Sequence, residues 1–204
     1  MTSPPTAVVF DVGNVLYGWD PHSLLARRLP EDEARLRFIE DVDLWSWHER
    51  LDGGRPFPEA AAELSEKFPD YAAHISAWGH SFGETIRDPV PGVHAIVEAL
   101  DERGVLLFAI TNFSADFWAP FRSREESFFR RFRGIVVSGE EKMLKPDPAI
   151  YYLALHRFGL QAREALFVDD RKINVEAAEA VGMRGHHFTG AADLRRRLER
   201  EGLL

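Results

Sequence analysis

Four short stretches of this chain carry side chains that could act together on a phosphate ester and a divalent metal. Asp11 closes the apolar run Ala7-Val8-Val9-Phe10 and is followed by Val12-Gly13-Asn14-Val15. Thr111 and Asn112 follow a second apolar run that ends at Ile110. Lys145 opens Lys145-Pro146-Asp147-Pro148, just ahead of a helical pattern. Asp169 and Asp170 follow a third run, Ala165-Leu166-Phe167-Val168. A carboxylate can be a nucleophile. A hydroxyl and backbone N–H groups can hold phosphoryl oxygens. Paired carboxylates offer the hard oxygen ligands that Mg²⁺ takes. Each stretch alone is commonplace, since an Asp after a strand often does no more than cap a turn. Their shared position is more specific. Each lies at or near the point where a buried strand hands over to a loop, the edge where open α/β sheets bind ligands.

The elements that must position these groups are legible in outline. Residues 7–10, 106–110, 135–137 and 165–168 form apolar runs that are continuous rather than alternating, as parallel strands buried on both faces do, and 186–188 reads as a further strand. Helical patterns lie between them. Val93, Ile96, Val97 and Leu100 repeat at i, i+3, i+4, i+7, and Gly104 closes that connection. Pro148 can start a helix through Ile150, Leu153 and Ala154 that stops at Gly159. The Ala-rich stretch 175–181 ends at Gly182, a candidate left-handed cap, and 193–204 reads as a last helix. This alternation predicts the α/β class: a doubly wound, Rossmann-like parallel sheet with right-handed crossovers.

One interval breaks the rhythm. About a hundred residues separate Asp11 from Thr111, where a simple crossover unit needs only ~30. Between 19 and 88 the sequence shows helical pieces, at 24–29, 34–39, 59–68 and 71–82, and no clear strand. Pro89-Val90-Pro91-Gly92 punctuates the return. The expected division is a core of residues 1–18 and 89–204 with a helical cap of residues 19–88 inserted after the first strand. The insertion carries Leu44-Trp45-Ser46-Trp47-His48-Glu49-Arg50. Trp45 and Trp47 lie well apart around a helix, so both cannot face one pocket. His48 is a candidate substrate-side acid, although a buried structural histidine is the commoner role.

Taken in order, the four stretches resemble the haloacid dehalogenase (HAD) superfamily, over the chain from Val8 to about Phe188. The opening Phe-Asp-x-Gly-Asn-Val, here Phe10 to Val15, is similar to a subgroup that includes α-D-glucose-1-phosphate phosphatase-like proteins. The resemblance implies a cap over the sheet edge and a Mg²⁺-dependent hydrolase of a small phosphate ester, such as a sugar phosphate, acting through an aspartyl-phosphate. It implies Asp11 as nucleophile, Thr111 as the phosphate-binding hydroxyl and Lys145 as the charge that balances phosphate and steadies Asp11. Expected substrate contacts are Gly13, Thr111, Asn112 through its backbone N–H, Lys145 and His48. Expected metal contacts are Asp11, the Gly13 carbonyl, and Asp170 with Asp169 supporting it. Carboxylates this close would raise one another's pKa unless a cation intervened. Asn174 could help hold the acidic loop. His186 and His187 read as structural, because nothing nearby supplies metal-ligand partners.

One position departs from the broader phosphatase pattern. Two residues after the nucleophile that pattern has an Asp that protonates the leaving oxygen, and this chain has Gly13. A general acid contributes about 10²–10⁴-fold, so its loss must be offset or tolerated. Activity is then expected to fall steeply as leaving-group pKa rises, with His48 or Asp20 as candidate replacements. Two other readings remain. A 2-haloacid dehalogenase would attack carbon without a metal, which the Asp169-Asp170 pair argues against. A catalytically silent HAD-like binding module would bind phosphate without turning it over.

Composition excludes further classes. The chain has 204 residues and a net charge of −8, against the basic face that nucleic-acid phosphates require. Arg195-Arg196-Arg197 alternates with leucines as the wet face of a helix would. No apolar run approaches the ~20 residues of a membrane span. There is no cysteine, hence no disulfide framework or thiolate metal site, and Met1-Thr2-Ser3-Pro4-Pro5 lacks the features of a signal peptide. These point to a cytoplasmic protein whose partner is a small molecule. They favour no particular oligomeric state.

Overall fold

Along each central strand, successive side chains enter opposite cores. Val8 and Phe10 belong to one buried cluster, and Ala7 and Val9 to another. Leu107 and Ala109 alternate with Phe108 and Ile110 in the same way, as do Leu166 and Val168 with Ala165 and Phe167. A sheet buried on both faces is why these segments read as unbroken apolar runs.

The computed structural model describes residues 4–204; Met1, Thr2 and Ser3, part of the stretch read for leader features, lie outside the described residues. The chain begins with β1 (Ala7–Phe10) and leaves the sheet through β2 (Tyr17–Trp19). Helices α1 (Pro21–Arg28), α2 (Asp32–Asp41), α3 (Leu44–Asp52), α4 (Phe57–Lys67) and α5 (Ala72–His80) follow, and β3 (Ile86–Pro89) returns. Next come α6 (Val93–Glu102), β4 (Leu106–Thr111), α7 (Ala115–Arg124), α8 (Glu126–Phe129), β5 (Gly134–Val137), α9 (Ser138–Glu141) and α10 (Pro148–Phe158). The chain closes with β6 (Ala165–Asp169), α11 (Lys172–Ala180), β7 (Arg184–His187) and α12 (Ala191–Arg200). The main sheet runs β5-β4-β1-β6-β7, all parallel. Helices α6 and α12 cover one face, with Val93, Val97, Leu194 and Leu198, and α10 and α11 cover the other, with Ile150, Tyr151 and Ala178. Gly159 and Gly182 end α10 and α11 at positive φ, as their left-handed caps require.

The order of strands fixes the site. From β1 the chain builds β4 and β5 on one side, then crosses to β6 and β7 on the other. The reversal lies at β1, and the crevice at its carboxyl end is where such sheets bind ligands. Phe10 stands level with Ala109 of β4 and Val168 of β6, so Asp11 emerges between the ends of both neighbours.

The stretch from 19 to 88 is not wholly helical. Its boundaries are an antiparallel ribbon of β2 and β3, pairing Tyr17 with Pro89 and Trp19 with Ile86. Three- and four-residue strands are too short for a periodicity to announce them. Both connections to the five-helix insertion run through this ribbon. The buried apolar residues of the insertion, among them Leu24, Phe38 and Trp78, belong to the same cluster as one face of the sheet, so the two pack without a break.

Candidate active site

The backbone after β1 makes a tight turn. Leu16 N–H and Tyr17 N–H both donate to the Val12 carbonyl, at 2.9 and 3.0 Å. Asn14 takes a left-handed φ of 55°, a conformation that asparagine tolerates better than most residues. Its side chain accepts from Trp19 N–H at 3.0 Å and donates to Asp170 Oδ2 at 3.3 Å, tying the turn to the acidic loop after β6. At Gly13 a Cβ would meet nothing within 4 Å.

Asp11, Lys145 and Asp169 form a buried cluster. Lys145 Nζ lies 2.8 Å from Asp11 Oδ1 and 2.7 Å from Asp169 Oδ2, and donates to the Ile110 carbonyl at 3.0 Å. Val12 N–H donates to the same Asp11 Oδ1 at 2.7 Å, whereas Oδ2 accepts no hydrogen bond among the described residues. Asp169 is fully saturated: Arg171 N–H and Asn174 Nδ2 donate to Oδ1 at 2.8 and 3.0 Å, and Asn174 also reaches Oδ2 at 3.1 Å. Asp170, less buried, accepts from Asn14 and from its own N–H.

Charge does not balance within this cluster. One oxygen from each of Asp11, Asp169 and Asp170 lies within 4.8 Å of the others, and among the described residues Lys145 alone forms ion pairs in the cluster, with Asp11 and Asp169. Burial pushes the Asp11 carboxyl up to about 7; Lys145 pulls it down, and Asp169 and Asp170 push it further up. Burial and Asp169 raise Asp170 as well. Burial alone would lower Lys145, but Asp11 and Asp169 outweigh it and hold the ammonium above its ordinary value. With all three carboxylates ionised, two negative charges would remain beyond what Lys145 neutralises, and every ligand atom they offer is a hard oxygen. The residues therefore fit a divalent cation such as Mg²⁺.

A cavity of about 410 Å³ opens over Asp11. Asp11, Gly13, Asn112, Lys145 and Asp170 line it from the sheet edge, and Trp19, Trp45, His48, Asp52, Phe82 and Ile86 from the insertion side.

The sequence matches the profile of the haloacid dehalogenase-like hydrolases over residues 5–182. The chain belongs to that family. Among curated relatives, the sesquiterpene phosphatase astK of Aspergillus oryzae is 28% identical over 189 residues, 90% of this chain and 89% of that protein. The phosphorylated carbohydrates phosphatase of Thermotoga maritima is 26% identical over 183 residues, 87% and 82% of the two chains. Among solved structures, the HAD family enzyme bt-2542 of Bacteroides thetaiotaomicron, in complex with magnesium and inorganic phosphate, superposes with a TM-score of 0.68 at 19% identity, covering 91% of this chain and 95% of that one. At that identity the likeness is one of fold.

The geometry of this HAD-like hydrolase refines several sequence expectations. Asn112 was expected to act through its backbone. Its side chain in addition clamps the lysine loop, donating to the Lys145 carbonyl at 3.0 Å and accepting from Lys145 N–H at 2.9 Å. Asn112→Ala is expected to lower kcat about tenfold or more by loosening Lys145, with a small stability loss of about 1–2 kcal/mol for the two bonds. Steady-state kinetics beside a melting curve check this, and unchanged kcat would show the clamp to be idle. Thr111 ends β4 and is 1% exposed; the cavity is lined beside it by Asn112 and Phe113. Asn174 holds Asp169, as expected of a residue that steadies the acidic loop.

The two tryptophans divide as helical geometry requires. Trp45 lines the cavity, edge-on to Trp19, while Trp47 is buried against Phe57 with its indole N–H on the Ala60 carbonyl. His48 reaches the cavity, stacked on Trp19 and flanked by Trp78 and Phe82. That burial pushes its pKa down to about 4, so at neutral pH it is an uncharged ring and a poor proton donor. Asp20 corrects a second expectation. It caps α1 by accepting from Ser23 N–H at 3.1 Å and pairs with Arg87 at 2.8 Å, which lowers its pKa, and it does not line the cavity. His186 and His187 stay structural: His187 Nε2 meets the Asp170 carbonyl at 3.0 Å, and His186 is buried 3.6 Å from Asp193.

Proposed function

We propose that this chain is a Mg²⁺-dependent phosphatase that hydrolyses the phosphate ester of a small, uncharged alcohol through an aspartyl-phosphate at Asp11. The observation that carries the reading is the Asp11 carboxylate itself. One of its oxygens is pinned by Lys145 and Val12 N–H while the other carries no hydrogen bond among the described residues, at the floor of a cavity beside Asp170. Pinning one oxygen fixes the attack direction of the other, and orientation of this kind supplies much of a phosphoryl-transfer rate. Lys145 and the Asn112 loop would receive the phosphoryl group, with the Thr111 hydroxyl at the adjoining strand end. Asp11, Asp170 and the Gly13 carbonyl would hold Mg²⁺. Asp169 would orient Lys145 instead, since its oxygens are already occupied. Bound Mg²⁺ supplies neutralisation of the carboxylates and of the phosphoryl oxygens. The insertion, residues 19–88, would act as the cap that keeps water from the transfer.

The substrate class follows from the walls. The cationic side chains that line the cavity, Lys145 and Arg171, both belong to the sheet edge; the insertion side offers Trp19, Trp45, Phe82 and Ile86, with Glu49 and Asp52 as its acidic side chains. Such a wall suits an uncharged alcohol with an apolar face. A terpenoid or aromatic alcohol fits it first, as the name of the Aspergillus relative suggests. A sugar phosphate, suggested by the sequence and by the Thermotoga relative, would rely on its C–H face against Trp45. An anionic leaving group would meet Glu49 and Asp52.

The test is a panel of p-nitrophenyl phosphate, farnesyl phosphate, glucose 1-phosphate and phosphoglycolate, each with and without Mg²⁺. Turnover is expected only with the metal, and slowest for phosphoglycolate. Trp45→Ala is expected to raise KM for farnesyl phosphate about tenfold, the loss of part of an aromatic contact. Fastest turnover of phosphoglycolate would refute the reading of the walls. No turnover of any ester with Mg²⁺, while phosphate still binds, would favour a silent module; metal-independent attack on a 2-haloacid would favour the dehalogenase.

A further inference from the structure

Gly13 leaves the sheet edge without a carboxylic acid for the leaving oxygen, and the geometry narrows where one can be found. In-line transfer places the leaving oxygen opposite the attacking one, so it departs from Asp11 toward the insertion. On that side the titratable groups lining the cavity are His48, Glu49 and Asp52. His48 is neutral in its aromatic cage. Glu49 is an exposed, solvated carboxylate. Asp52 remains, with its side chain only 16% exposed.

We propose that Asp52, the last residue of α3, is the general acid and base of this hydrolase, replacing from the insertion the carboxyl that Gly13 lacks. This rests on the phosphatase reading above. In the first step Asp11 Oδ2 bonds to phosphorus, the bond from phosphorus to the leaving oxygen breaks, and the Asp52 proton passes to that oxygen to release a neutral alcohol. In the second step water attacks phosphorus and gives its proton to the Asp52 carboxylate. The bond from phosphorus to Asp11 breaks, inorganic phosphate leaves and Asp52 is protonated again.

The surroundings suit that role. The end of α3 is anchored to the sheet: Ser138 Oγ, at the start of α9, donates to the Asp52 carbonyl at 2.6 Å and accepts from Phe113 N–H at 2.9 Å. The Asp52 backbone is thus tied to the end of the sheet, and Ser114 N–H reaches its carboxyl. Burial pushes it up to about 7. Ser114 N–H opposes this, Glu49 on the same helix and Asp11 at the end of β1 add to it, and Lys145 opposes it. His48 Nε2, 3.7 Å away, is beyond hydrogen-bond reach and uncharged. A carboxyl that is partly protonated near neutral pH can both give and take a proton there.

The experiment compares p-nitrophenyl phosphate, whose leaving group needs no proton, with benzyl phosphate, whose leaving group does. Asp52→Asn keeps the shape and removes the proton. It is expected to raise the ratio of kcat/KM for p-nitrophenyl over benzyl phosphate about 10²–10⁴-fold. Gly13→Asp in the same background has open space for its side chain and is expected to recover at least tenfold on benzyl phosphate. Should the Asn variant not fold, the wild-type pH profile decides. kcat/KM for benzyl phosphate must fall as pH rises past neutrality, and that for p-nitrophenyl phosphate must not fall with it. Equal losses on both substrates, or matching pH profiles, would overturn the proposal while leaving the phosphatase reading intact. A wild type already steeply sensitive to leaving-group pKa, as Gly13 alone suggests, would overturn it too. A wild type inactive on both esters would overturn the phosphatase reading itself.

Discussion

Asp11→Asn is expected to abolish turnover, with a loss of at least 10⁴-fold in kcat, while the protein stays folded. The amide keeps the shape of the side chain but cannot attack phosphorus, and losses of this size follow removal of a covalent nucleophile in other hydrolases. Removing one partner of a buried ion pair ordinarily costs about 3–5 kcal/mol. The cost should be smaller in this cluster. Lys145 keeps Asp169 at 2.7 Å and the Ile110 carbonyl at 3.0 Å, and the substitution relieves a carboxylate crowded by Asp169 and Asp170. Circular dichroism and a melting temperature within a few degrees of wild type, beside absent phosphatase activity, are the expected result. Residual activity within tenfold of wild type would remove Asp11 from the mechanism.

The positions of Asp11 and the acidic pair could be read from the chain because two local signals coincide there. A strand buried on both faces must be continuously apolar, so the first charged residue after it marks the sheet edge. Asp11 and the Asp169-Asp170 pair are found that way, and so is Lys145 from the loop that ends at the α10 cap. What the Asn112 side chain does could not be found, because its partner is the Lys145 backbone 33 residues on. Asp52 carries no local signal either. It sits in no motif, and its entry into the cavity depends on how the β2–β3 ribbon and Ser138 set α3 over the sheet. The aromatic wall was half legible: helical periodicity separates Trp45 from Trp47, but only packing decides which of them faces the cavity. His48 shows the limit most plainly. Its proximity to the site could be guessed, whereas its charge is set by Trp19, Trp78 and Phe82, contributed by three other parts of the chain.

Removal of divalent metal is expected to abolish phosphatase activity and to leave a folded protein whose stability depends on pH in a specific direction. Asp11 and Asp52 both have folded-state pKa values raised from the ordinary 3.8 to about 7. Between those values the folded protein binds more protons than the unfolded chain, so stability falls as pH rises through the window and levels off above it. The rise of about 3 pH units sets a ceiling on the order of 4 kcal/mol for each group. The metal-free protein is therefore expected to lose stability from about pH 4 to about pH 7, and Asp11→Asn to flatten that slope. Mg²⁺ requires an ionised Asp11, so its stabilising increment should grow across the same interval. At a hundred times its Kd the ion adds about 2.7 kcal/mol, roughly 5–10 °C in Tm for a domain of this size. Asp170→Asn should erase that increment, because Asp170 has the less occupied oxygens, while Asn174 and Lys145 keep Asp169 in place. Melting curves at pH 5 and pH 8, with EDTA and with saturating Mg²⁺, measure all of this together. A Mg²⁺ increment larger at pH 5 than at pH 8, or one that survives in Asp170→Asn, would place the cation elsewhere. Full phosphatase activity in EDTA would leave the side chains of Lys145 and Arg171 to offset the phosphoryl group, and the three carboxylates would then be a structural cluster rather than a metal site.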